Sequence, residues 1–245
     1  SIAGGGGAGV NTLQGNNVAN TWTITSPDAG TLTGVTGGFS DIDNLTGGTN
    51  TDSFTLSGTG TLSGSIAGGG GTGVNTLQGR NVANTWGITG NDSGSLTNVT
   101  GGYTDIDNLV GGSNTDAFNI SDTIVVTGTI DGNAGSDTLN LSAYATARTV
   151  VINATSTAAG FAGTEASVAG GFADIDVLSL PAGVGDNLQG GNFANAFAIT
   201  TADAGTLTEN ANVLTFTGAN SLTGGTSTDS FTLSGTGTLS GSIAG

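Results

Sequence analysis

Leu45-Thr46-Gly47-Gly48-Thr49-Asn50-Thr51-Asp52-Ser53-Phe54-Thr55-Leu56 is a glycine turn followed by a strand, and variants of it recur along most of the 245 residues. In each, an aliphatic residue is followed nine positions later by a large apolar one, and another apolar residue comes two after that. The instances are Leu13/Trp22/Ile24, Leu45/Phe54/Leu56, Leu77/Trp86/Ile88, Leu109/Phe118/Ile120, Leu141/Val150/Ile152, Leu188/Phe197/Ile199 and Leu222/Phe231/Leu233. The first five leucines, Leu13 to Leu141, keep one constant 32-residue spacing. A fixed period of this size defines a repeat array, in which each unit buries its apolar face against its neighbours.

Working outward, residues 1–64 and 65–128 are near-copies, so the full 64-residue unit consists of two 32-residue halves. The third unit departs from this pattern: Leu178 and Leu188 are only ten residues apart, and the register recovers at 193–200 and 222–245. The chain reads as one continuous segment over 1–245. Repeat 1 spans 1–64, repeat 2 spans 65–128, and degenerate repeats cover 129–241, with an irregular stretch expected at 142–190. Residues 242–245 begin a further repeat. Ser-Ile-Ala-Gly stands at 1–4, 65–68 and 242–245, so the expectation is a piece of a longer array.

Short period-two segments (Thr21-Trp22-Thr23-Ile24-Thr25, Phe54-Thr55-Leu56) lie between turns rich in Gly and Asn or containing Ser-Pro, and nothing holds a 3.6-residue period over ten residues. That is strand patterning. The expected fold is all-β, a parallel β-solenoid (β-helix) of stacked coils with about 32 residues per coil, three short strands and three corners. Coils of about 21 residues would also divide the unit; the equal Leu-to-aromatic spacing in both halves favours 32. Seven to eight coils at about 4.8 Å would make a rod of roughly 35–40 Å. Leu13/Leu45/Leu77/Leu109/Leu141 and Trp22/Phe54/Trp86/Phe118 are the expected interior columns. The open ends of such a rod are unpaired edges that template association with neighbouring repeats or with another copy.

Composition removes several functions. The net charge is −16, with no Lys, no His and only Arg80 and Arg148 as cations, which excludes phosphate binding to nucleic acid and attraction to anionic lipid. No apolar run approaches the roughly 20 residues of a membrane-spanning helix. Cys is absent, which suits a cytosol or a bacterial exterior. Without His, Cys or Lys there is no usual base, thiol or amine, and no enzyme activity is expected. Asp41/Asp43, Asp105/Asp107 and Asp174/Asp176 are pairs that a glycosidase would use, but they recur with every repeat where a catalytic site is single. Trp22 and Trp86 alternate with Phe54 and Phe118 and read as core, not as sugar platforms.

The acidic residues are patterned. Two positions before the leucines stand Asn11, Asp43, Asn75 and Asp107; two before the aromatics stand Asn20, Asp52, Asn84 and Asp116. One reading is structural. Stacking Asp on Asp at about 5 Å costs roughly 3 kcal/mol at an effective dielectric of 20, and intervening Asn relieves it while allowing amide ladders. The other is calcium. Gly132-Asn133-Ala134-Gly135-Ser136-Asp137-Thr138-Leu139-Asn140 resembles the nonapeptide of RTX calcium-binding rolls, and Gly47–Thr55, Gly111–Asn119 and Gly224–Thr232 are similar. That resemblance implies weak Ca²⁺ ligation, with Asp43, Asp52, Asp107, Asp116 and Asp137 as candidates. Here the nonapeptides are separated by about a coil, where the family runs them in tandem.

Near-identical units with an acidic Gly/Thr/Asn-rich composition resemble the repeat regions of giant bacterial surface proteins, filamentous-haemagglutinin-like and RTX-type adhesins among them. The resemblance implies an extracellular or cell-surface location. It also implies a structural role as a rigid rod or filament in matrix, adhesion or surface coating, with self-association end to end or with neighbouring repeats. The alternatives are a calcium-dependent surface-layer or adhesin segment, and a polysaccharide-binding or polysaccharide-cleaving β-helix.

Overall fold

The computed structural model describes residues 1–155 and 160–245. Among them the regular elements are all β-strands, in two sheets of 14 and 13 strands that enclose one apolar core. Strand β1 (Ile2–Ala3) lies in the 14-stranded sheet and β2 (Thr12–Gln14) in the other. β3 (Asn20–Ser26), β4 (Ala29–Leu32) and β5 (Phe39–Ser40) then form an antiparallel meander within the 14-stranded sheet. Four single strands follow and alternate between sheets: β6 (Asn44–Thr46), β7 (Asp52–Leu56), β8 (Ile66–Ala67) and β9 (Thr76–Gln78).

The second meander, β10 (Asn84–Gly90), β11 (Ser93–Leu96) and β12 (Val99–Thr104), falls in the 13-stranded sheet. β13 (Asn108–Val110), β14 (Asp116–Ile120), β15 (Ile130–Asp131) and β16 (Thr138–Asn140) alternate as before. A third meander, β17 (Thr149–Thr155), β18 (Phe161–Glu165) and β19 (Val168–Ile175), returns to the 14-stranded sheet. Only β20 (Val177–Ser179) and β21 (Asn187–Gln189) separate it from the fourth, β22 (Ala196–Thr201), β23 (Ala204–Glu209) and β24 (Asn212–Thr217), in the 13-stranded sheet. β25 (Ser221–Thr223), β26 (Ser230–Leu233) and β27 (Ile243–Ala244) complete the order.

Between meanders the pairing is parallel, and its register shows what the 32-residue spacing means. Leu13 faces Leu45, Trp22 faces Phe54, Leu77 faces Leu109 and Trp86 faces Phe118, each one period on. The next neighbours are closer in sequence: Phe54 faces Leu77, and Leu109 faces Ile130. Others are farther: Ile66 faces Tyr103, and Leu139 faces Leu178. The expected uniform three-strand coil with a 32-residue repeat is therefore not formed. A plain two-strand turn, as from Phe54 to Leu77 or from Leu109 to Ile130, is shorter than that period, and a meander inserted on the path lengthens the step. The leucine series accordingly divides between the sheets, and Leu141 is buried beyond β16 without joining the column, where Leu139 stands instead. With 13–14 strands per sheet, the stack is roughly 60–65 Å long, not 35–40 Å.

The meanders have a local cause. Asp28, Asp92 and Asp203 make the tight first turn at φ 52°, 50° and 51°, a left-handed conformation that Asp tolerates. Gly38 opens the third strand at φ 67°, and a Cβ there would lie 2.2 Å from the Gly30 carbonyl oxygen. Inward positions carry the large side chains. Trp22 stacks on Phe54 at 5.5 Å and meets Phe39 edge-on at 6.2 Å, and Trp86 repeats this with Phe118 at 5.5 Å and Tyr103 at 5.9 Å. Such pairs add about 0.5–1.5 kcal/mol each beyond the area they bury.

Of the stretch 142–190, residues 156–159 lie outside the described residues; the remainder includes regular strands. Its anchor is chemical. Arg148 pairs with the buried Glu165 and lies 4.2 Å over the Tyr144 ring, whose hydroxyl donates to the Ile124 carbonyl at 2.6 Å.

The short interval between Leu178 and Leu188, against the full period between Leu45 and Leu77, marks the loss of one two-strand turn. Removing residues 47–68 deletes β7 and β8, recreates the short spacing and should leave a chain that unfolds cooperatively in urea. Removing residues 47–57 deletes β7 alone, forces two successive meanders into one sheet and should abolish the cooperative transition followed by circular dichroism.

Candidate functional site

The acidic candidates all stand at corners, just before a strand turns its first large residue inward. There the backbone N–H of one strand's corner residue donates to the side chain of the corner residue on the next strand. In the 14-stranded sheet, Asn20 N–H donates to Asp52 Oδ1 at 2.9 Å, Asp52 N–H to Asn75 Oδ1 at 3.0 Å, and Asn75 N–H to Asp107 Oδ2 at 2.7 Å. The separate leucine and aromatic series of the sequence thus interleave into one Asn–Asp–Asn–Asp column. In the 13-stranded sheet, Asn11 N–H donates to Asp43 Oδ2 at 2.7 Å. Beyond the second meander, Asn84 N–H donates to Asp116 Oδ1 at 2.9 Å, and Asp116 N–H to Asp137 Oδ1 at 2.7 Å. Asp137 N–H in turn reaches Asp176 Oδ2 at 2.9 Å.

Asp52 is fully buried, and its carboxylate accepts three N–H donors: Asn20 N and Nδ2, the latter at 2.6 Å, and Gly48 N at 2.7 Å. Asp116 repeats the arrangement with Asn84 and with Gly112 N, the latter at 2.5 Å. Gly47 and Gly48 therefore serve the carboxylate directly: one donates to it, and the ideal Cβ of the other would lie 2.3 Å from Asp52 Oδ2. Asp43 and Asp107 are half-buried, and each adds a hydroxyl donor, Ser63 at 2.8 Å and Thr127 at 3.0 Å. The Asn11 N–H, then the Ser63 hydroxyl, holds the Asp43 carboxyl below the usual range.

Asp116, Asp137 and Asp176 stand in consecutive strands with no amide between them, where the other columns alternate. Asp137 is 1% exposed, and its Oδ2 has no hydrogen-bond partner among the described residues. Burial, then the charges of Asp116, Asp176 and Asp174, pushes its carboxyl from 3.8 up to about 7. Burial also raises Asp116 and, together with Asp174, raises Asp176 and Asp131.

Of the five calcium candidates, the structure brings Asp116 and Asp137 together, whereas Asp43, Asp52 and Asp107 stand at other corners. Among the described residues no three acidic side chains are grouped so as to hold a metal ion. The Asp pairs that a glycosidase would use begin at Asp41, Asp105 and Asp174, each at positive φ on the way out of a meander. Sequence reasoning passed over Asp28 and Asp92. They share open clefts of about 150 and 230 Å³ with Asp41/Asp43 and Asp105/Asp107, and their signal was position in a Pro-Asp or Asn-Asp turn. Trp22, Phe54, Trp86 and Phe118 are all fully buried, so none presents a ring to a ligand. No family model matches the chain, and no curated protein or solved structure is significantly similar to it.

Asp52→Ala orphans the backbone N–H groups of Asn20 and Gly48, while Asn20 Nδ2 keeps the Asn16 and Val18 carbonyls, and should lower stability by about 2–3 kcal/mol in urea unfolding. Asp52→Asn keeps an acceptor for Asn20 and should cost less, and outward-facing Thr55→Ala should stay within about 0.5 kcal/mol. The raised Asp137 value sets a pH dependence. The folded chain binds its proton more tightly than the unfolded chain, so this stabilisation is complete below pH 3.8 and is lost as pH rises to about 7. Melting temperatures recorded across that window should fall with pH, and Asp137→Asn should flatten the fall.

Proposed function

We propose that this chain is a structural segment of a secreted or cell-surface fibrous protein, a rigid rod for matrix, adhesion or surface coating. The observation that carries the reading is the unbroken core. Large side chains fill the space between the sheets along the whole stack, from Phe39 and Trp22 near one end to Phe216 and Leu222 near the other. Each strand is bonded on both edges except at the two ends, which supports the finer description as a two-sheet β-solenoid. A net charge of −16 keeps such rods soluble and opposes side-by-side packing. The resemblance to repeat regions of giant bacterial surface proteins belongs to this reading, as do an extracellular location and end-to-end association.

The second reading is a calcium-dependent surface-layer or adhesin segment: open acidic clefts at Asp28/Asp41/Asp43 and Asp92/Asp105/Asp107 recur one 64-residue unit apart, although among the described residues their carboxylates are not grouped closely enough to hold an ion by themselves. Both readings meet the same experiment. Negative-stain microscopy and small-angle scattering should give particles of roughly 60–65 Å along the stack, and a compact, near-spherical particle would sink the rod. Under the structural reading, melting temperature is the same in EDTA and in millimolar calcium. A rise of several degrees with calcium would install the second reading instead.

A further inference from the structure

The loop that follows β21 has two earlier copies, and they isolate what is new in it. Gly15-Asn16-Asn17-Val18-Ala19-Asn20 and Gly79-Arg80-Asn81-Val82-Ala83-Asn84 are matched by Gly190-Gly191-Asn192-Phe193-Ala194-Asn195. One set of bonds holds all three loops. Asn20 Nδ2 donates to the Asn16 and Val18 carbonyls, both at 2.8 Å, and Asn84 Nδ2 to those of Arg80 and Val82 at 2.9 and 2.8 Å. Asn195 Nδ2 does the same to the Gly191 and Phe193 carbonyls, at 2.9 and 2.8 Å. Two side chains set the third copy apart: phenylalanine replaces valine at 193, and glycine replaces Asn or Arg at 191. The two changes belong together. An ideal Cβ on Gly191 would lie 2.1 Å from the Phe193 ring, so a side chain there excludes the ring from its place.

Phe193 borders a groove of about 130 Å³ on the flank of the stack, and it is partly exposed where the Trp22, Trp86, Phe118 and Phe197 rings are buried. Val151 and Asn153 of β17 line the same groove, alternating with the buried Val150 and Ile152, and the parallel register sets Gln189 of β21 opposite Val151. Asn192 completes the lining; its Oδ1 accepts the Thr226 N–H at 3.3 Å, which keeps its N–H₂ group as a donor. The groove thus offers one aromatic ring and the amides of Asn153, Gln189 and Asn192, and no charged side chain lines it. Amides both donate and accept, as hydroxyl groups do, and an apolar ring takes the C–H face that a sugar presents between its hydroxyls. The uncharged lining suits a neutral ligand, and the net charge of −16 opposes an acidic one. We propose that this groove binds one residue of a neutral polysaccharide, with Phe193 as the platform and Asn153, Gln189 and Asn192 as partners of its hydroxyls. The rod reading neither requires the groove nor falls with it.

The test is affinity electrophoresis and saturation-transfer NMR of the full chain with a β-glucan, a galactomannan and a xylan as neutral probes and alginate as the acidic one. At least one neutral polymer should retard the chain and receive saturation, and alginate should do neither. Phe193→Val installs the residue that the two earlier copies carry, so the loop keeps its fold, and it should weaken binding about tenfold. Phe193→Tyr keeps the ring and should retain binding, and Gln189→Ala should weaken it severalfold. Urea unfolding of Phe193→Val with an unchanged midpoint assigns its loss of binding to the missing ring. A chain that binds no neutral polymer overturns the proposal. So does binding that Phe193→Val leaves unchanged, binding lost only together with the fold, or equal binding to alginate. Each of these results leaves the rod reading in place, since particle length decides that one.

Discussion

Two sheets that share one core must rise at the same rate. A sheet that outgrows its partner exposes its inward face, and apolar residues there would meet water without cover. Each 64-residue unit threatens this balance, because its meander adds three strands to one sheet at a stroke. The count of crossings restores it. After a meander the chain lays down four single strands, alternating between sheets, so the next meander falls in the opposite sheet. The shortened third unit lays down two, which is still even, and the fourth meander again lands opposite the third. Loss of a single strand there would have broken the alternation. Loss of a two-strand turn does not.

The corners solve a second problem, the N–H that precedes each parallel strand and points along the stack. Asn and Asp side chains accept it from the neighbouring strand, so the same residue closes one corner and is closed by the next. Carboxylates accept more donors than amides do, and Asp52 and Asp116 each gather three. Alternation with Asn keeps the charges two strands apart, roughly halving their repulsion. Where the alternation lapses, burial first and then the charges of Asp116, Asp176 and Asp174 raise the proton affinity of the Asp137 carboxyl. The same residues that resemble a calcium motif are the ones the backbone requires.

Much of this was legible from the residues alone. Period-two runs such as Thr21–Thr25 and Phe54–Leu56 are strands, Trp22 and Phe54 are core, and the Asn/Asp alternation is structural in effect. The route between the sheets was not legible. One period relates Trp22 to Phe54 and Leu77 to Leu109, which are true neighbours, but the same period relates Phe54 to Trp86, which lie in different sheets. Local pattern reports which residues point inward and cannot report which sheet a strand joins, since that depends on counting crossings. Nor does a turn such as Pro27-Asp28 announce that its strands fold back beside each other. Asp28 and Asp92, which make those turns, therefore carry no sign in the sequence of the clefts they line.

Alternation also has a consequence for the surface. Trp22 in one sheet and Trp86 in the other have the same burial, the same stacked partner and the same antiparallel register with Leu32 and Leu96. A near-identical 64-residue sequence therefore works equally well in either sheet. Successive units are related by a half-turn about the stack together with a rise, so each outward feature of one unit reappears on the opposite side in the next. Asp28 with its cleft and Asp92 with its cleft are one such pair. The first two units thus present their acidic clefts from opposite sides of the stack, because their meanders lie in opposite sheets.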